Sequence, residues 1–466
     1  MTYSACMSDR IAAYIQEKQR ATEKIIVKNI YRENMHEKMF STTDVSNFAS
    51  WTKDSTIGLV EDLFQYLCVF FMESVGCPCR LIFLFFFILI VYYSSFTYDK
   101  TVDLTECGNI KVGKRYQKRS ELSKEAKGSR DLPPVYPNGW IPLIESRDIL
   151  IGQCKPVNAL GQDFVIFRGK TGKSFVLDAY CPHLGAHLGV EGKVYDDCIE
   201  CPFHGWRFSG QDGLCVKISY CDKVPDVARV KSWETIEQNG FIYVWYHAEG
   251  ENPTWKPPVI PEIEQGLWTY KGRSEHIVSC HIQEIPENGS DIKHFDSIHS
   301  ASILSGKNNQ WTFWSYNWRA SWFSDSFPHH YMTSINISGD VKLFGLSLPF
   351  VQMKMEVKQI GPAIAHIYMK SAFGAGVFIH NIIPELPFRH KIIHHYYSPR
   401  FSQVSAHIRF MLQENMFRRD AVIWNNKRFL KNPVYTKEDK TIAQFRKWYS
   451  QFYSENSLKF PSNLDW

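Results

Sequence analysis

The sequence contains no dinucleotide-binding fingerprint. No G-x-G-x-x-G pattern follows a predicted strand anywhere in its 466 residues, and that pattern is how a βαβ unit usually binds NAD or FAD. The net charge is also small, because 53 Lys and Arg face 48 Asp and Glu and leave +5. This charge is too weak to indicate nucleic-acid binding. The missing fingerprint therefore argues against a nicotinamide-binding domain within the chain, and the small net charge argues against a nucleic-acid partner.

A disulfide framework is also missing. The 12 cysteines are scattered through the chain without even spacing, which argues against a secreted protein held together by disulfides and favours a reducing compartment. Aromatic residues, by contrast, are abundant at 15%. They are expected to fill large cores, and an apolar substrate pocket would use the same residue types.

One uncharged apolar run lies near the N-terminus. Leu81–Tyr93 contains no charged residue, and the surrounding stretch 75–96 is long enough to span a bilayer, although a buried core helix is the alternative. Residues 58–76 contain no Lys or Arg, whereas residues 111–130 contain eight basic side chains. By the positive-inside rule the chain after residue 96 lies in the cytosol. The sequence thus predicts a single-pass membrane protein, expected in the endoplasmic reticulum.

Two short motifs each combine a cysteine with a histidine. Cys181-Pro-His183 is followed, after 17 residues, by Cys201-Pro-Phe-His204. In a Rieske [2Fe–2S] centre two Cys thiolates bind one iron and two His imidazoles bind the other. A zinc site is the alternative, but zinc modules usually group the cysteines apart from the histidines. The spacing therefore predicts a Rieske cluster. A glycine that permits a tight turn follows each motif: Gly185 and Gly205.

The chain after the apolar run divides into two predicted domains. Short strands alternate with Gly and Asp-Gly turns up to residue 250, which is typical of a small antiparallel domain. The Pro-rich stretch Asn252–Pro258 marks a boundary, and strand-like and helical stretches follow it. We predict an α+β protein in this order: a poorly defined N-terminal region 1–74, a transmembrane helix 75–96, a basic linker 97–133, an all-β Rieske domain 134–250 and a catalytic domain 251–466.

A second histidine motif follows this boundary. Asp291 and His294 share a helix face, and His299 comes five residues after His294. On an ideal helix the two histidines point about 140° apart, so both can bind one metal only if the helix ends or bulges between them. Two His and a carboxylate form the usual facial triad of a non-haem iron site. Because a Rieske cluster needs an electron acceptor, we predict a mononuclear Fe(II) site.

The third iron ligand must be a carboxylate from elsewhere in the chain. Asp420 and Glu414 lie in a predicted C-terminal helix and are the candidates. We favour Asp420, which leads into the apolar stretch Ala421–Trp424. The alternative for Asp420 is a solvated helix residue beside Arg418 and Arg419.

From about residue 133 onward the chain resembles the Rieske non-haem iron oxygenases, and among them the Neverland-type cholesterol 7-desaturases of animals. The stretches that carry the resemblance are Tyr136–Ile141, Asp178–Leu188, Ile199–Phe208, Glu284–His299 and Asp420–Lys427. The resemblance implies a C-terminal helix-grip domain, an antiparallel sheet around helices that binds mononuclear Fe(II). It also implies homotrimers and electrons supplied by a separate NAD(P)H-dependent reductase.

The resemblance assigns roles to two further residues. Asp291 matches the acid that bridges an iron-ligand His of one subunit and a cluster His of its neighbour. A carboxylate that accepts the free N–H of both rings would orient them and link the two metal centres. Asn288 is a candidate neighbour of the iron, and a plain polar helix position is its equally weighted alternative.

The activity that the resemblance implies is O2-dependent desaturation of cholesterol at C7–C8, giving 7-dehydrocholesterol for steroid hormone synthesis. One alternative is hydroxylation of another sterol or small apolar molecule by the same iron. The others are an electron-transfer Rieske protein and a sterol carrier without activity. His294, His299 and Asp420 argue against these last two.

Overall fold

The computed structural model describes residues 85–89, 92, 96–105, 132–299, 314–326, 328–344, 346–348, 352–371, 374–400 and 402–459. The predicted region 1–74, most of the predicted span 75–96 and most of the predicted linker 97–133 lie outside these residues. Within the described part of the chain, no helix is long and apolar enough to cross a membrane.

The first elements are short strands. They are β1 (Tyr98–Asp103), β2 (Gly139–Glu145), β3 (Cys154–Ala159), β4 (Gln162–Arg168), β5 (Ser174–Asp178), β6 (Lys193–Tyr195), β7 (Cys198–Glu200), β8 (Arg207–Ser209), β9 (Cys215–Lys217), β10 (Thr235–Gln238) and β11 (Phe241–Tyr246). A 3₁₀ turn, Ser146–Asp148, follows β2.

Longer strands and helices make up the rest. They are α1 (Pro261–Glu264), β12 (Trp268–Val278), α2 (Glu284–Ser290), α3 (Ile292–Ile298), β13 (Trp314–Ser324), β14 (Met332–Leu343), β15 (Leu346–Ser347), β16 (Met353–Ile360), β17 (Ile364–Ser371), β18 (Gly374–Leu386), β19 (Arg389–Pro399), α4 (Gln403–Asn426) and α5 (Lys440–Tyr449). The 3₁₀ turns Lys437–Asp439 and Ser450–Phe452 flank α5.

The described strands form three small sheets and one large one. The small sheets have the orders β10-β11-β2, β3-β4-β5 and β6-β7-β8-β9, and the large sheet runs β1-β12-β19-β18-β17-β16-β14-β13 with β15 paired to β14. Pairing in the large sheet is antiparallel apart from β1 on β12. The small all-β part and the large antiparallel sheet agree with the predicted α+β class.

The large sheet carries helices on one face. Successive strand residues point to opposite faces of a sheet. On one face of the large sheet, Trp318 of β13 and Ile335 of β14 pack with Phe295 of α3. Farther along the same face, Phe378 of β18 packs with Phe410 of α4. Helices α3 and α4 therefore stand over one face of the sheet, and both carry predicted iron ligands.

A single buried core joins the two predicted domains. Trp140 and Tyr243 of the small sheets belong to the same apolar cluster as Ile382 and Phe417 of the large sheet and α4. The Tyr243 hydroxyl also donates to Asn381 Oδ1 at 3.1 Å. The predicted limits near residue 250 remain predictions, and the stretches on either side of them fold onto one another.

A buried ion cluster adds to this junction. Glu145 at the end of β2 is 1% exposed, and its Oε1 lies 2.7 Å from Arg273 Nε and 3.0 Å from His395 Nε2. Burial alone would raise the pKa of Glu145, but the hydrogen bond and charge of His395 and the charge of Arg273 hold it below its ordinary value. Removing one partner of such a cluster leaves the others buried without compensation.

The predicted linker is wrong at its N-terminal end. Tyr98–Asp103 is strand β1, which pairs in parallel with Gly272–Ile277. The Tyr98 ring stacks on Phe410 with a centroid separation of 4.5 Å, and its hydroxyl donates to Glu414. The segment is polar and short, so it lacks the apolar alternation that indicates a strand. Its tertiary contacts make it part of the catalytic sheet.

Candidate metal centres

The two Cys–His motifs form matching turns. Cys181 N donates to Ala186 O and Gly185 N to Cys181 O, while Cys201 N donates to Trp206 O and Gly205 N to Cys201 O. Gly185 and Gly205 have φ of +73° and +70°, as the predicted tight turns require. Side chains with a Cβ rarely adopt that conformation.

These turns bring the four predicted cluster ligands together. The thiols of Cys181 and Cys201 are buried, and the rings of His183 and His204 lie 4.7 Å apart between centroids. His183 also stacks on the Trp206 indole at 4.7 Å and 7°. Trp206 fixes the plane of one imidazole, a contact that the motif spacing alone did not predict.

The donor set fits an iron–sulfur cluster. Burial, with a smaller contribution from the nearby Cys201, raises the pKa of the Cys181 thiol to about 11, so a thiolate pair here needs bound cations for compensation. His183 Nδ1 is buried and has no hydrogen-bond partner among the described residues. A buried imidazole nitrogen without a hydrogen-bond partner is suited to bind iron.

The second histidine motif lies on one short helix, α3, and on the residues that flank it. Helix α2 ends at Ser290, and Asp291, with φ −84° and ψ 87°, separates it from α3. The Asp291 carboxylate accepts from Lys293 N and His294 N at 3.2 Å and so caps α3. Helix α3 ends at Ile298, just before His299. The predicted break between His294 and His299 therefore exists.

The break lets both histidines meet the favoured carboxylate. The ring centroids of His294 and His299 are 5.1 Å apart, and one ligand atom from each of His294, His299 and Asp420 lies within 4.8 Å of the others. His299 Nε2 is 3.0 Å from Asp420 Oδ1. Within the described chain this is the one group of three or more such side chains close enough to bind a metal ion.

Unpartnered atoms at this group also fit a metal. Asp420 Oδ1 and His299 Nδ1 are buried, and neither makes a hydrogen bond to any described residue. The short His299–Asp420 approach thus lacks hydrogen-bond geometry, as expected of two ligands of one ion. His294 Nδ1 faces the Asp291 main-chain oxygen, which leaves Nε2 for a metal. Burial lowers the pKa of His294 and keeps it neutral.

Neighbouring side chains hold the C-terminal end of α3 in place. Arg419 Nη1 donates to Ile298 O at 3.1 Å, and Trp318 Nε1 donates to His299 O at 3.1 Å. Arg419, one of the two arginines that suggested a solvated position for Asp420, is itself buried. The sequence analysis missed both supports, because a side chain that binds a helix-end carbonyl leaves no pattern in the sequence.

The other predicted residues occupy distinct places. Glu414 lies away from the metal group and pairs with Tyr98 and Lys100 of β1. Asn288 Oδ1 accepts from Trp424 Nε1 at 3.1 Å, so it joins α2 to α4. Within one chain, His294 meets the carbonyl of Asp291 rather than its carboxylate.

A cavity on the large sheet lies apart from this group. Its volume is about 660 Å³, and its lining includes Arg319, Ser321, Asn336 and Lys370. These residues alternate along their strands with side chains that face the helices, such as Trp318. The cavity therefore opens on the opposite face of the sheet from the metal group.

Comparison with known proteins gives two domain matches. Residues 139–234 match the Rieske [2Fe-2S] domain, and residues 244–453 match the 3-ketosteroid 9alpha-hydroxylase C-terminal domain. The chain is 40% identical to the cholesterol 7-desaturase of Xenopus laevis over 367 residues, which cover 76% of this chain and 80% of that one. It is 43% identical to the cholesterol 7-desaturase of Drosophila melanogaster over 346 residues, covering 72% and 80%.

A solved structure supports the fold. Dicamba monooxygenase bound to dicamba has a TM-score of 0.51 and 13% identity, covering 68% of this chain and 96% of that one.

Proposed function

The chain belongs to the cholesterol 7-desaturase family of Rieske oxygenases, and we propose on that basis that it removes hydrogen from C7 and C8 of cholesterol to give 7-dehydrocholesterol. The observation that carries this proposal is the identity of 40% and 43% to two animal cholesterol 7-desaturases across most of both chains. The reaction would serve steroid hormone synthesis.

The reaction balances with one O2 and one NAD(P)H. Two hydrogens leave the sterol, two electrons come from NAD(P)H, and O2 is reduced to two waters. A [2Fe–2S] cluster and a mononuclear iron, when bound, supply one-electron transfer and O2 activation respectively. The electrons come from a separate NAD(P)H-dependent reductase, since the chain lacks a dinucleotide fingerprint.

The chain's own residues hold these groups and orient them. Cys181, His183, Cys201 and His204 would bind the cluster. His294, His299 and Asp420 would hold the mononuclear iron, since two His and one carboxylate are the donor set typical of non-haem iron that activates O2. Arg419 and Trp318 fix the backbone on either side of His299.

We also propose that the protein works as a homotrimer. The cluster of one subunit would then pass electrons to the iron of the next, and the Asp291 carboxylate would bridge His294 and a cluster histidine of the partner subunit. The support for this role is proximity: the Asp291 carboxylate accepts from the main-chain N–H of His294, while the His294 ring itself meets the Asp291 main-chain oxygen. Asn288 would support the iron site by tying α2 to Trp424.

A membrane anchor fits a lipid-dissolved substrate. We propose that residues 75–96 span the membrane of the endoplasmic reticulum, with the catalytic part in the cytosol. The uncharged run and the basic residues after it support this arrangement.

Hydroxylation of a sterol is the second candidate. The matched C-terminal domain takes its name from a 3-ketosteroid 9alpha-hydroxylase, and the same three iron ligands would serve a reaction in which oxygen is added instead of a second hydrogen being removed. A function in electron transfer alone is less consistent with the structure, because it does not require a second metal site such as the group of His294, His299 and Asp420.

Sterol analysis of cells that express the chain tests the proposal. Cells fed cholesterol should accumulate a sterol with the ultraviolet spectrum of a conjugated 5,7-diene, because a new C7–C8 double bond adjoins the existing one at C5. Cells expressing His294→Ala should make none. A new hydroxysterol without diene would favour the second candidate and overturn desaturation.

A further inference from the structure

Three buried imidazoles lie under helix α4. They belong to His276 of β12, His380 of β18 and His394 of β19. His380 and His394 are paired residues on neighbouring strands, and their ring centroids are 3.9 Å apart. The His276 and His394 centroids are 5.1 Å apart. All three side chains point to the face of the large sheet that α4 covers, and we call them the histidine cluster.

The histidine cluster has more polar atoms than partners. Gln413 Nε2 of α4 lies 3.2 Å from His394 Nδ1. In contrast, four other ring nitrogens are buried and have no hydrogen-bond partner in the described part of the chain: Nε2 of His380, Nε2 of His394 and both nitrogens of His276. A buried polar atom without a partner is strongly disfavoured. The cluster therefore calls for a polar group that the chain does not itself provide.

A neutral hydroxyl suits the cluster better than a metal or an anion. The three imidazoles do not bring three ligand atoms within reach of one ion, as the iron triad does. Burial lowers the pKa of His276 and of His380 to about 3, so the rings stay neutral. A neutral imidazole offers one donor and one acceptor, which together match the two hydrogen-bonding roles of an alcohol.

The histidine cluster lies on the same side of α4 as the iron triad. Phe417 contacts both His276 and His394, with centroid distances of 4.7 and 4.9 Å. It precedes Asp420 by three residues, which is about 5 Å along the helix axis, and Gln413 lies about 10 Å from Asp420 by the same measure. The cluster thus lies within a few side chains of the iron position.

An apolar surface adjoins the histidine cluster. Val357 and Met355 of β16 pack in the same group of apolar side chains as Met416 of α4. Ile367 and Met369 of β17 lie beside them on the same face of the sheet. A ligand with a flat, apolar ring system could lie against these apolar side chains. Its edge would then reach the imidazole nitrogens of the histidine cluster.

We propose that His380, His394 and Gln413 bind the 3-hydroxyl of the sterol and thereby position its second ring at the iron. This inference rests on the proposed function. C3 and C7 belong to adjoining rings of the sterol, so a hydroxyl held beside α4 would bring C7 towards Asp420. His276 lies behind His394 and limits the tilt of its ring.

Turnover of a sterol without the hydroxyl tests the proposal. 5-Cholestene has the carbon skeleton of cholesterol but no oxygen. The intact chain, in membranes with a supporting reductase, should have a kcat/KM for cholesterol about 10- to 100-fold above that for 5-cholestene, the size expected for one or two buried hydrogen bonds. His380→Leu should abolish this preference by lowering the kcat/KM for cholesterol towards the value for 5-cholestene. His380→Gln should retain most of it, because the amide also donates and accepts.

His366→Leu is the matched control. His366 is fully buried on β17, and its ring nitrogens also lack partners among the described residues, but it faces away from α4 beside Ile379. This substitution should leave the preference for cholesterol intact. Equal loss of both turnovers in His380→Leu would indicate a structural role and overturn the proposal.

Binding measured without turnover separates this inference from the desaturase assignment. Energy transfer from tryptophan to dehydroergosterol, a fluorescent sterol with a 3-hydroxyl, should be competed by cholesterol and not by 5-cholestene. If the intact chain makes no diene but shows this competition, the assigned reaction fails and the hydroxyl site stands. If it makes diene equally from both sterols, the reaction stands and the hydroxyl site is overturned.

Discussion

At the scale of single residues, Asp420 and Glu414 show why similar side chains on one helix have different tasks. Asp420 is buried beside His299, whereas Glu414 accepts hydrogen bonds from Tyr98 and Lys100 of β1. They are six residues apart on α4, so their side chains point about 120° apart around the helix. Glu414 therefore points towards the sheet edge while Asp420 points towards α3.

Asp420→Asn should remove the iron and spare the cluster. An amide is a much poorer iron ligand than a carboxylate, so the iron content of the purified full chain should fall from about three per subunit to about two, with the cluster spectrum unchanged. The measurement is iron analysis together with visible absorption. Glu414→Gln is the matched control and should retain all three. Full iron content in Asp420→Asn would exclude Asp420 as a ligand.

Asp291→Asn separates electron bridging from helix capping. Asparagine caps a helix about as well as aspartate does, so stability and iron content should be unchanged. If the carboxylate bridges two subunits, loss of its charge should slow oxidation of the reduced cluster in the presence of sterol and O2 by about 100-fold, the range for a lost partner of a metal-binding histidine. Stopped-flow absorption measures that rate. An unchanged rate would leave Asp291 with its capping role alone.

At the scale of elements, each cluster motif is a turn whose shape depends on one glycine. Gly185 has φ +73°, and a Cβ added there would meet no atom within 4 Å. The left-handed backbone is thus the main obstacle to another residue. Gly172, in the turn between β4 and β5, has φ +83° and equally open surroundings.

Gly185→Ala and Gly172→Ala should have the same cost and different consequences. Each should destabilise the fold by about 1–2 kcal/mol, the cost of a left-handed alanine. Gly185→Ala should also reduce cluster content, because its turn aligns Cys181 and His183, whereas Gly172→Ala should not. Thermal unfolding and the ratio of cluster absorption to protein absorption measure these two effects. Equal cluster content in both variants would contradict the role given to the turn.

The elements also show what sequence can and cannot predict. The motif spacing predicted Cys181, His183, Cys201 and His204 as cluster ligands, and this assignment remains a prediction. Helix geometry required a break between His294 and His299, and the end of α3 at Ile298 provides it. Such features are local. Strand β1 was predicted as linker, because its pairing with β12 and its contacts with α4 join residues far apart in the sequence. The histidine cluster was missed for the same reason: its members come from three strands.

At the scale of the whole molecule, Glu145 links the small sheets to the large one. Its carboxylate, at the end of β2, contacts Arg273 of β12 and His395 of β19. The same two parts also share an apolar core. The predicted cluster ligands and the predicted iron ligands are therefore held by parts that share one core, and loosening this junction should affect both.

Glu145→Gln should lower stability and change its dependence on pH. The pKa of Glu145 is depressed below its ordinary 4.5 in the folded protein, so its contribution is present above that value and is lost as the pH falls below it. At neutral pH the variant should be less stable by about 3 kcal/mol, and the difference should shrink in acid below pH 4.5. Denaturant unfolding across this range measures it. A constant difference at every pH would contradict the assigned ion cluster.

A single turnover without a reductase tests the central claim most directly. The purified full chain would be loaded with iron, reduced chemically, mixed with cholesterol and exposed to O2. One electron from the cluster and one from the iron supply the two that the reaction needs, so each iron site should yield up to about one 5,7-diene. Reoxidation of the cluster with no diene and no loss of cholesterol, in protein with full iron content, would contradict the assignment as a cholesterol 7-desaturase.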